Sequence, residues 1–559
     1  MENNKKQTYL QAGLILMVAN LVVRGIGGIF KIPIIKLLGD VGYANYQDAY
    51  TLYVIFFAIS TAGLPVAISR MIAVANSNKK YAEEKKIFNL ALISFVIVGA
   101  AGTAIMIFGA GAYSKYVAAN PDAYYSILIL APTLFFVCIT SAFRGYFQGR
   151  QNFFPTAVSE VIEALGKLFI GLAAAVYAIN MFVFVTYKVT EEGLIAVTEG
   201  LDIASAFAIS GLTIGSAFGV GYLIIKKILT NRKDQKLHAS EQINESNMQV
   251  RKSGDILKEI IKISVPLMLT SSIASLAGAI DTFMMKQRLM DIGWDFEIAK
   301  GTYGAYTGKA VTFFNLPNTL VVAFAVSIIP VISTAFSNNN LKAVKTTIES
   351  TFRVVSIIAM PCAFGLACMS KPILSLIFSN EEAVLVAPML SILGVGVVFV
   401  SFMTVTNNML AAQGQERKTL ISMAVGMCVK IIASYILIGI PEINKFGTPI
   451  GTCLCYLTIM SMNFYFLAKY TKVVPAVRQT FIKPFISSAV MAVFAILSYM
   501  LFNNILQGSR IAVLAALVIA ISVYAVCIIL FKTLTKDDVL LLPKGAKLYE
   551  AMKKRRLIN

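Results

Sequence analysis

Fourteen apolar stretches follow one another along this chain, each near the length a helix needs to cross a bilayer. About 20 predominantly apolar residues span the hydrocarbon core as a helix, and no water is present there to take up stray backbone hydrogen bonds. The pattern predicts an all-α polytopic membrane protein. The expected spans start near Thr8, Ala44, Ile87, Tyr124, Ala157, Ile203, Leu257, Tyr303, Thr346, Val384, Thr419, Gly447, Phe481 and Arg510. With 57% hydrophobic and 14% charged residues, a chain of 559 residues has too little polar surface for a water-soluble fold. The first stretch is long, carries Arg24 and is followed by no small-residue cleavage site, so it reads as a retained first span.

A formal net charge of +20 raises the question of nucleic acid, and the distribution of that charge answers it. With a cytoplasmic N-terminus, the even-numbered connections fall inside, and they hold most of the Lys and Arg, as the positive-inside rule requires. Examples are Lys79, Lys80, Lys85, Lys86, Arg144, Arg150, Lys226, Lys227, Arg232, Lys233, Lys236, Arg417, Lys418, Lys469, Lys472, Arg478 and the tail Lys553, Lys554, Arg555 and Arg556. The outer loops carry Glu191, Glu192, Glu199, Asp291, Asp295, Glu297, Glu381 and Glu382. The expectation is a multi-pass protein of the bacterial cytoplasmic membrane with both termini cytoplasmic. Its basic segments attract anionic membrane lipid, and no nucleic-acid partner is expected.

Reactive chemistry is thinly represented. The seven cysteines (Cys138, Cys362, Cys368, Cys428, Cys453, Cys455 and Cys527) fall within expected spans and form no CxxC pair, so they read as small packing residues without a disulfide framework or a zinc site. His238 is the only histidine, which excludes chemistry built on a histidine cluster. Walker A, GxSxG and HExxH patterns are absent, so neither ATP hydrolysis nor covalent catalysis is expected. The chain reads as a non-enzyme with no metal and no cofactor beyond a coupling ion or the membrane potential.

The organisation is that of two halves and an appendix. A polar, charged segment containing NRKDQKLHASEQINESNMQVRKSGD separates six spans from eight and reads as a flexible linker. ISRMIAVANSNKK, ending at Lys80, is echoed by IIPVISTAFSNNN, ending at Asn340; FRGYFQG, ending at Gly149, is echoed by NNMLAAQG, ending at Gly414. Six is an even number, so this weak repeat is a parallel one, with both halves entering from the same side; a chance match of small loop residues is the alternative. The expected domains are an N-terminal lobe at 1–225, a linker at 226–256, a C-terminal lobe at 257–472, two further spans at 473–535 and a basic cytoplasmic tail at 536–559. Transporters built this way bind substrate at the repeat interface and alternate its access.

Charged side chains inside a membrane face a cavity, a partner or the interface. Arg24 lies mid-way along the first span, with Lys31 nearly two turns on and on the same face, and Lys309 lies early in the eighth. A cationic cavity built from Arg24, Lys31 and Lys309 suits a phosphate or pyrophosphate head group; snorkelling toward a membrane face is the structural alternative. Arg70 marks the cytoplasmic edge of its span. Glu160, Glu163 and Lys167 share one stripe of the fifth span and fit a salt-bridged helix face. Asp48 and Asp281 lie near the outer surface, either solvated or pairing across the lobes to hold a gate shut.

The stretch FRGYFQGRQNFFPTAVSEVIEALGKLFIGL, Phe143 to Leu172, resembles the polysaccharide transporter branch of the multidrug/oligosaccharidyl-lipid/polysaccharide exporter superfamily, in which an RGxFQGxxxxxPTAxSQxxE pattern joins the fourth and fifth spans. GLPVAISR, Gly63 to Arg70, looks like the second-span signature of the same branch. The likeness is greatest to the stage V sporulation protein B type and to the MurJ-like lipid II flippases of Gram-positive bacteria. It marks Arg144, Gly145, Gln148, Gly149 and Pro155 as a loop motif.

The resemblance implies alternating-access export of an undecaprenyl-pyrophosphate-linked glycan, above all lipid II, for wall or polysaccharide synthesis, with wall-synthesis proteins as partners. It also implies a groove for the lipid tail at spans thirteen and fourteen. Arg24 in VRGIGG, Asp48 in YQDAY and Asp281 in IDTF fall at the family's charged positions; Lys309 and Lys31 match with small shifts. The arginine pair that some relatives carry in the second span is replaced by Ser60, Thr61, Ala62 and Gly63, which fits the sporulation-type subfamilies better. The competing readings are a cation-coupled multidrug antiporter of the same superfamily, a non-transporting scaffold of a wall-synthesis complex, and a membrane glycosyltransferase or ligase. Two extra spans and a basic cavity argue against the antiporter, and short outer loops against the enzyme.

Overall fold

Helix α1 (Tyr9–Thr61) carries the chain through the first expected span and most of the second, with one interruption at Gly39, whose φ of 65° and ψ of −177° are non-helical. Glycine takes that conformation without the steric penalty of a Cβ, so the LLGDV sequence fixes where the first span turns into the second. The computed structural model describes residues 9–61, 63–78, 80–190, 193–237, 251–322, 341–473, 476–506, 510–533 and 535. The central part of the expected linker with His238, the echo IIPVISTAFSNNN, Lys79, Glu191, Glu192 and the basic tail lie outside the described residues.

The next helices are α2 (Leu64–Ser77), α3 (Tyr81–Ala112), α4 (Tyr124–Gly149), α5 (Phe154–Phe182) and α6 (Leu201–Leu237). Both α2 and α5 begin with a proline in the first turn, where its missing N–H costs no helical hydrogen bond. After the expected linker come α7 (Ser253–Asp291) and α8 (Phe296–Ala305). A π-helical turn, Tyr306–Ala310, then leads into helix to residue 322. The rest are α9 (Leu341–Cys368), the short α10 (Ser370–Ser375), α11 (Asn380–Ala412), α12 (Glu416–Ile438), α13 (Gly447–Thr471), α14 (Lys483–Ile505) and α15 (Arg510–Leu530). Eleven helical stretches among the described residues are long and apolar enough to cross a membrane, the first of them running from Val18 to Ser77 across the Gly39 break. The chain is a helical, multi-pass membrane protein.

One element departs from the all-α expectation. Strands β1 (Phe184–Thr190) and β2 (Gly193–Glu199) form an antiparallel hairpin in which Phe184 pairs with Glu199 and Thr190 with Gly193. FVTYKVT and GLIAVTE are rich in the β-branched residues that favour a pleated ribbon. This connection was expected only as an outer loop carrying acids.

Two compact units emerge: Met1–Gln287 with Asp295–Gly304, and Arg288–Trp294 with Ala305–Asn559. The boundary at Gln287 lies beyond the residue-257 start expected for the second lobe, so most of α7 packs with the first unit. There the Gly63 Cα lies so close to Ser264 of α7 that a Cβ would stand 2.3 Å from its carbonyl oxygen, and Gly304 abuts the Asp40 carbonyl of α1 just as closely. The first unit also brings α5 against α6 along a glycine seam. A Cβ on Gly166 would come within 2.5 Å of Gly215, and one on Gly211 within 2.4 Å of Gly171. Close approach through small residues is how helices associate where lipid removes the hydrophobic drive.

The second unit is centred on α9, α11 and α13, with Phe352, Phe402 and Phe464 in mutual ring contact. Its last two helices meet through Ala495, Ala516 and Ala520, while Val493, Leu497, Val518 and Ile521 point away from the protein. The Tyr524 hydroxyl fastens α15 to α9 by donating to the Ile357 carbonyl at 2.8 Å.

Candidate functional site

The polar residues of the first unit are arranged around α1. Arg24 is exposed and makes no hydrogen bond or ion pair among the described residues; Leu21, Val22 and Ile29 beside it are exposed as well. Lys31 is partly buried, its Nζ 5.7 Å from the centre of the Tyr43 ring. Tyr43 begins a ladder of rings along one face of the same helix. Successive centroids from Tyr43 to Tyr46, Tyr50, Tyr53 and Phe57 are 5.8, 6.3, 6.0 and 5.7 Å apart. The alternating spacing of three and four residues puts the rings on one helical stripe. That spacing was a legible signal that the sequence reading passed over.

The fifth-span stripe divides. Arg144 Nη2 pairs with Glu163 at 3.0 Å, its Nη1 approaches Glu160 at 3.9 Å, and its Nε donates to Ser159 at 3.1 Å. Gly219 of α6 leaves room for the Glu163 carboxylate, which a Cβ there would meet at 2.7 Å. Lys167 does not join these acids. Its ammonium lies over the rings of Phe30 and Tyr50, at 4.9 and 5.1 Å. The expected salt-bridged face of α5 is corrected accordingly: the counter-charge comes from α4, and Lys167 belongs with Lys31 on the aromatic wall. Replacing Arg144 by methionine is expected to cost about 1–3 kcal/mol, because it leaves two partly buried carboxylates unpaired. A lower melting temperature in detergent, restored by adding Glu160→Gln and Glu163→Gln, would bear this out; an unchanged melting temperature would remove the cluster from the structural account.

The motif expected as a loop is mostly helix. Arg144, Gly145, Gln148 and Gly149 occupy the last turns of α4, and Pro155 is buried in the first turn of α5. Gly145 lies against Pro65 and Ile68, and Gly149 against Ser69 and Ile72. Of the two segments that carry the family resemblance, 63–70 and 143–172, the first is therefore packed on the start of the second, where Gly145 and Gly149 allow the close approach. Arg70, at the end of the first segment, is exposed. Nearby, the buried Glu83 and Glu84 hold Arg251 and Arg150, and Arg251 also reaches Glu259 at 2.6 Å.

Asp48 is fully buried rather than solvated, and the partners it meets lie in its own compact unit rather than across two lobes. Lys286 Nζ of α7 donates to its Oδ2 at 2.6 Å, as does Asn120 Nδ2 at 2.6 Å, and Asn120 also reaches Asn45 Oδ1 at 3.0 Å. The Lys286 ammonium sits 4.7 Å from the Tyr303 ring, whose hydroxyl is 2.7 Å from that of Thr282. Asp281 is partly buried next to Thr282 in the same helix. Lys300, 1% exposed, is ion-paired with Asp122. Lys286, Lys300 and Asn120 were not singled out from the sequence, although Lys286 stands five residues after Asp281 in an apolar run.

Lys309 lies in the π-helical turn of the second unit, 1% exposed, and pairs with Glu382 at 2.5 Å. Glu382 closes a capping box with Ser379 at the start of α11. The acid read as an outer-loop charge thus neutralises the lysine read as a head-group ligand. Arg24 and Lys31, by contrast, lie in the first unit. A cavity of about 520 Å³ in the second unit is lined by Ser370, Ala387, Pro388, Ser391, Ile392 and Phe446. Among the described residues its lining carries no charged side chain.

The family model described as "Polysaccharide biosynthesis protein" matches residues 9–336, and the one described as "MatE" matches residues 305–436. The chain is 23% identical over 545 residues to "Stage V sporulation protein B" of Bacillus subtilis (strain 168), covering 96% of this chain and 98% of that one. It is also 23% identical over 472 residues to "Lipid II flippase MurJ" of the same organism, covering 82% of each. A solved structure, "Lipid II flippase MurJ, inward closed conformation", superposes with a TM-score of 0.58 at 16% identity, over 90% of this chain and 98% of that one. What the two share at that identity is the fold.

Proposed function

The chain belongs to the polysaccharide biosynthesis protein family, and from that premise we propose that it is an alternating-access flippase for a polyprenyl-pyrophosphate-linked glycan, with lipid II as its cargo. The observation that carries the reading is Arg24. It is an exposed arginine in the apolar first span with no ion pair among the described residues, one to two turns from Lys31. A guanidinium left unpaired in such a setting suits a phosphate oxygen as a bidentate donor. Lys309 is left out of the head-group site because Glu382 already pairs with it. The fourteen-span arrangement, the sporulation-type or MurJ-like branch and a lipid-tail groove at 473–535 are parts of the same proposal. The outward-pointing Val493, Leu497, Val518 and Ile521 suit a polyprenyl chain.

In a host depleted of its own lipid II flippase, this chain is expected to restore wall synthesis and outer-leaflet lipid II, and Arg24→Ala is expected to fail at equal membrane abundance. Failure of the wild type despite correct insertion would discard lipid II as cargo. Rescue by both would leave transport standing and discard Arg24. The "MatE" match over residues 305–436 favours a second reading, a cation-coupled drug antiporter. Export of cationic drugs by the wild type without wall rescue would select it.

A further inference from the structure

We propose that α15 is a movable flank of the second unit, held on α9 by a latch in which the Tyr524 hydroxyl engages a carbonyl that Pro361 leaves free. Pro361 lies inside α9. A proline has no N–H, so the carbonyl four residues before it loses its helical donor. That carbonyl belongs to Ile357, and Tyr524 of α15 donates to it at 2.8 Å. A carbonyl left unmet in an apolar span is costly, and a hydroxyl from a neighbouring helix is one way of meeting it. The proline thus supplies the catch, and the tyrosine the bolt.

The flank is separable from the core of its unit. Phe352 and Phe402 belong to the core cluster, whereas Tyr524 packs on a second cluster formed by Met369, Met491, Ala495, Ala516 and Ala520. The attachment of α14 is independent of the latch. Phe485 of α14 meets Phe364 of α9 edge-on, with ring centroids 5.1 Å apart. Phe481, in the π-helical turn Arg478–Ile482 that leads into α14, packs on the core cluster with its ring 5.3 Å from that of Phe402. Opening the latch therefore frees α15 from α9 while α14 and the core stay in place. The helix set free is one whose Val518 and Ile521 already face away from the protein, so its parting from α9 opens an apolar cleft on the lipid side of the unit.

Two native thiols report on the latch. Cys527 lies three residues beyond Tyr524 in α15 and is 7% exposed; Cys455, 2% exposed, lies in α13 and serves as the control for the core. The test is labelling of the purified full-length protein in detergent with N-ethylmaleimide, read cysteine by cysteine by mass spectrometry. Tyr524→Phe keeps the ring and removes the bolt. It is expected to speed labelling of Cys527 about 3- to 10-fold, because it strands the Ile357 carbonyl, and to leave Cys455 unchanged. Pro361→Ala gives Ile357 a donor from its own helix. In that background Tyr524→Phe should change Cys527 labelling by less than about twofold. The latch is overturned if Tyr524→Phe labels Cys527 at the wild-type rate, or if its effect is as large with Ala at 361 as with the proline. A matching rise at Cys455 would also overturn it, since the whole unit would then have loosened.

Discussion

Asp48→Ala is expected to destabilise the folded protein by about 3–5 kcal/mol, the usual cost of stranding one member of a buried ion pair. Lys286 is fully buried, and Asp48 is its only ion-pair partner among the described residues. Asn120 loses less, since it keeps its hydrogen bond to Asn45. The cost comes from the stranded charge rather than from the strength of the pair. Replacing both partners with apolar residues of similar volume, Asp48→Leu with Lys286→Met, should therefore recover most or all of the stability. Thermal unfolding in detergent, followed by size-exclusion chromatography, separates these cases. If Asp48→Ala melts with the wild type, the pair is not formed in the folded protein.

Gly211→Leu is expected to cost about 3 kcal/mol or more, at the upper end of overpacking effects, and to leave little folded protein in the membrane. The Cβ alone would stand 2.4 Å from the Gly171 nitrogen, and the atoms in the way are backbone, which no rotamer change can move aside. A control at Gly221, where a Cβ meets nothing within 4 Å, should be tolerated. Comparable yield and melting temperature for Gly211→Leu and Gly221→Leu would show that α5 and α6 do not approach through their glycines.

The helices were legible because their signal is local: runs of apolar residues of spanning length, interrupted by Gly39 and by the GLP at 63–65. Arg24 and Lys31 were legible for the same reason, as charges standing in apolar runs. Partners were not. Asp48 meets Lys286, Lys309 meets Glu382 and Lys300 meets Asp122 across long stretches of chain, and nothing near either residue encodes the encounter. Glu382 was misread because a capping residue and a loop acid look alike without the contact that distinguishes them. The hairpin was missed for a different reason. FVTYKVT has the composition of a strand, but the segment stands out first for the acids beside it, which read as an outer loop. Family motifs located 63–70 and 143–172 without revealing that Gly145 and Gly149 are where α4 closes on α2.

The Asp48–Lys286 pair also sets a clock on assembly. The two residues are 238 positions apart. At about 5–20 residues per second, roughly 10–50 s of synthesis pass between the appearance of the aspartate and that of its lysine. Throughout that interval the nascent second span carries a carboxylate whose counter-charge has not yet been made. The first unit therefore cannot mature while the ribosome is still working on the first half of the message.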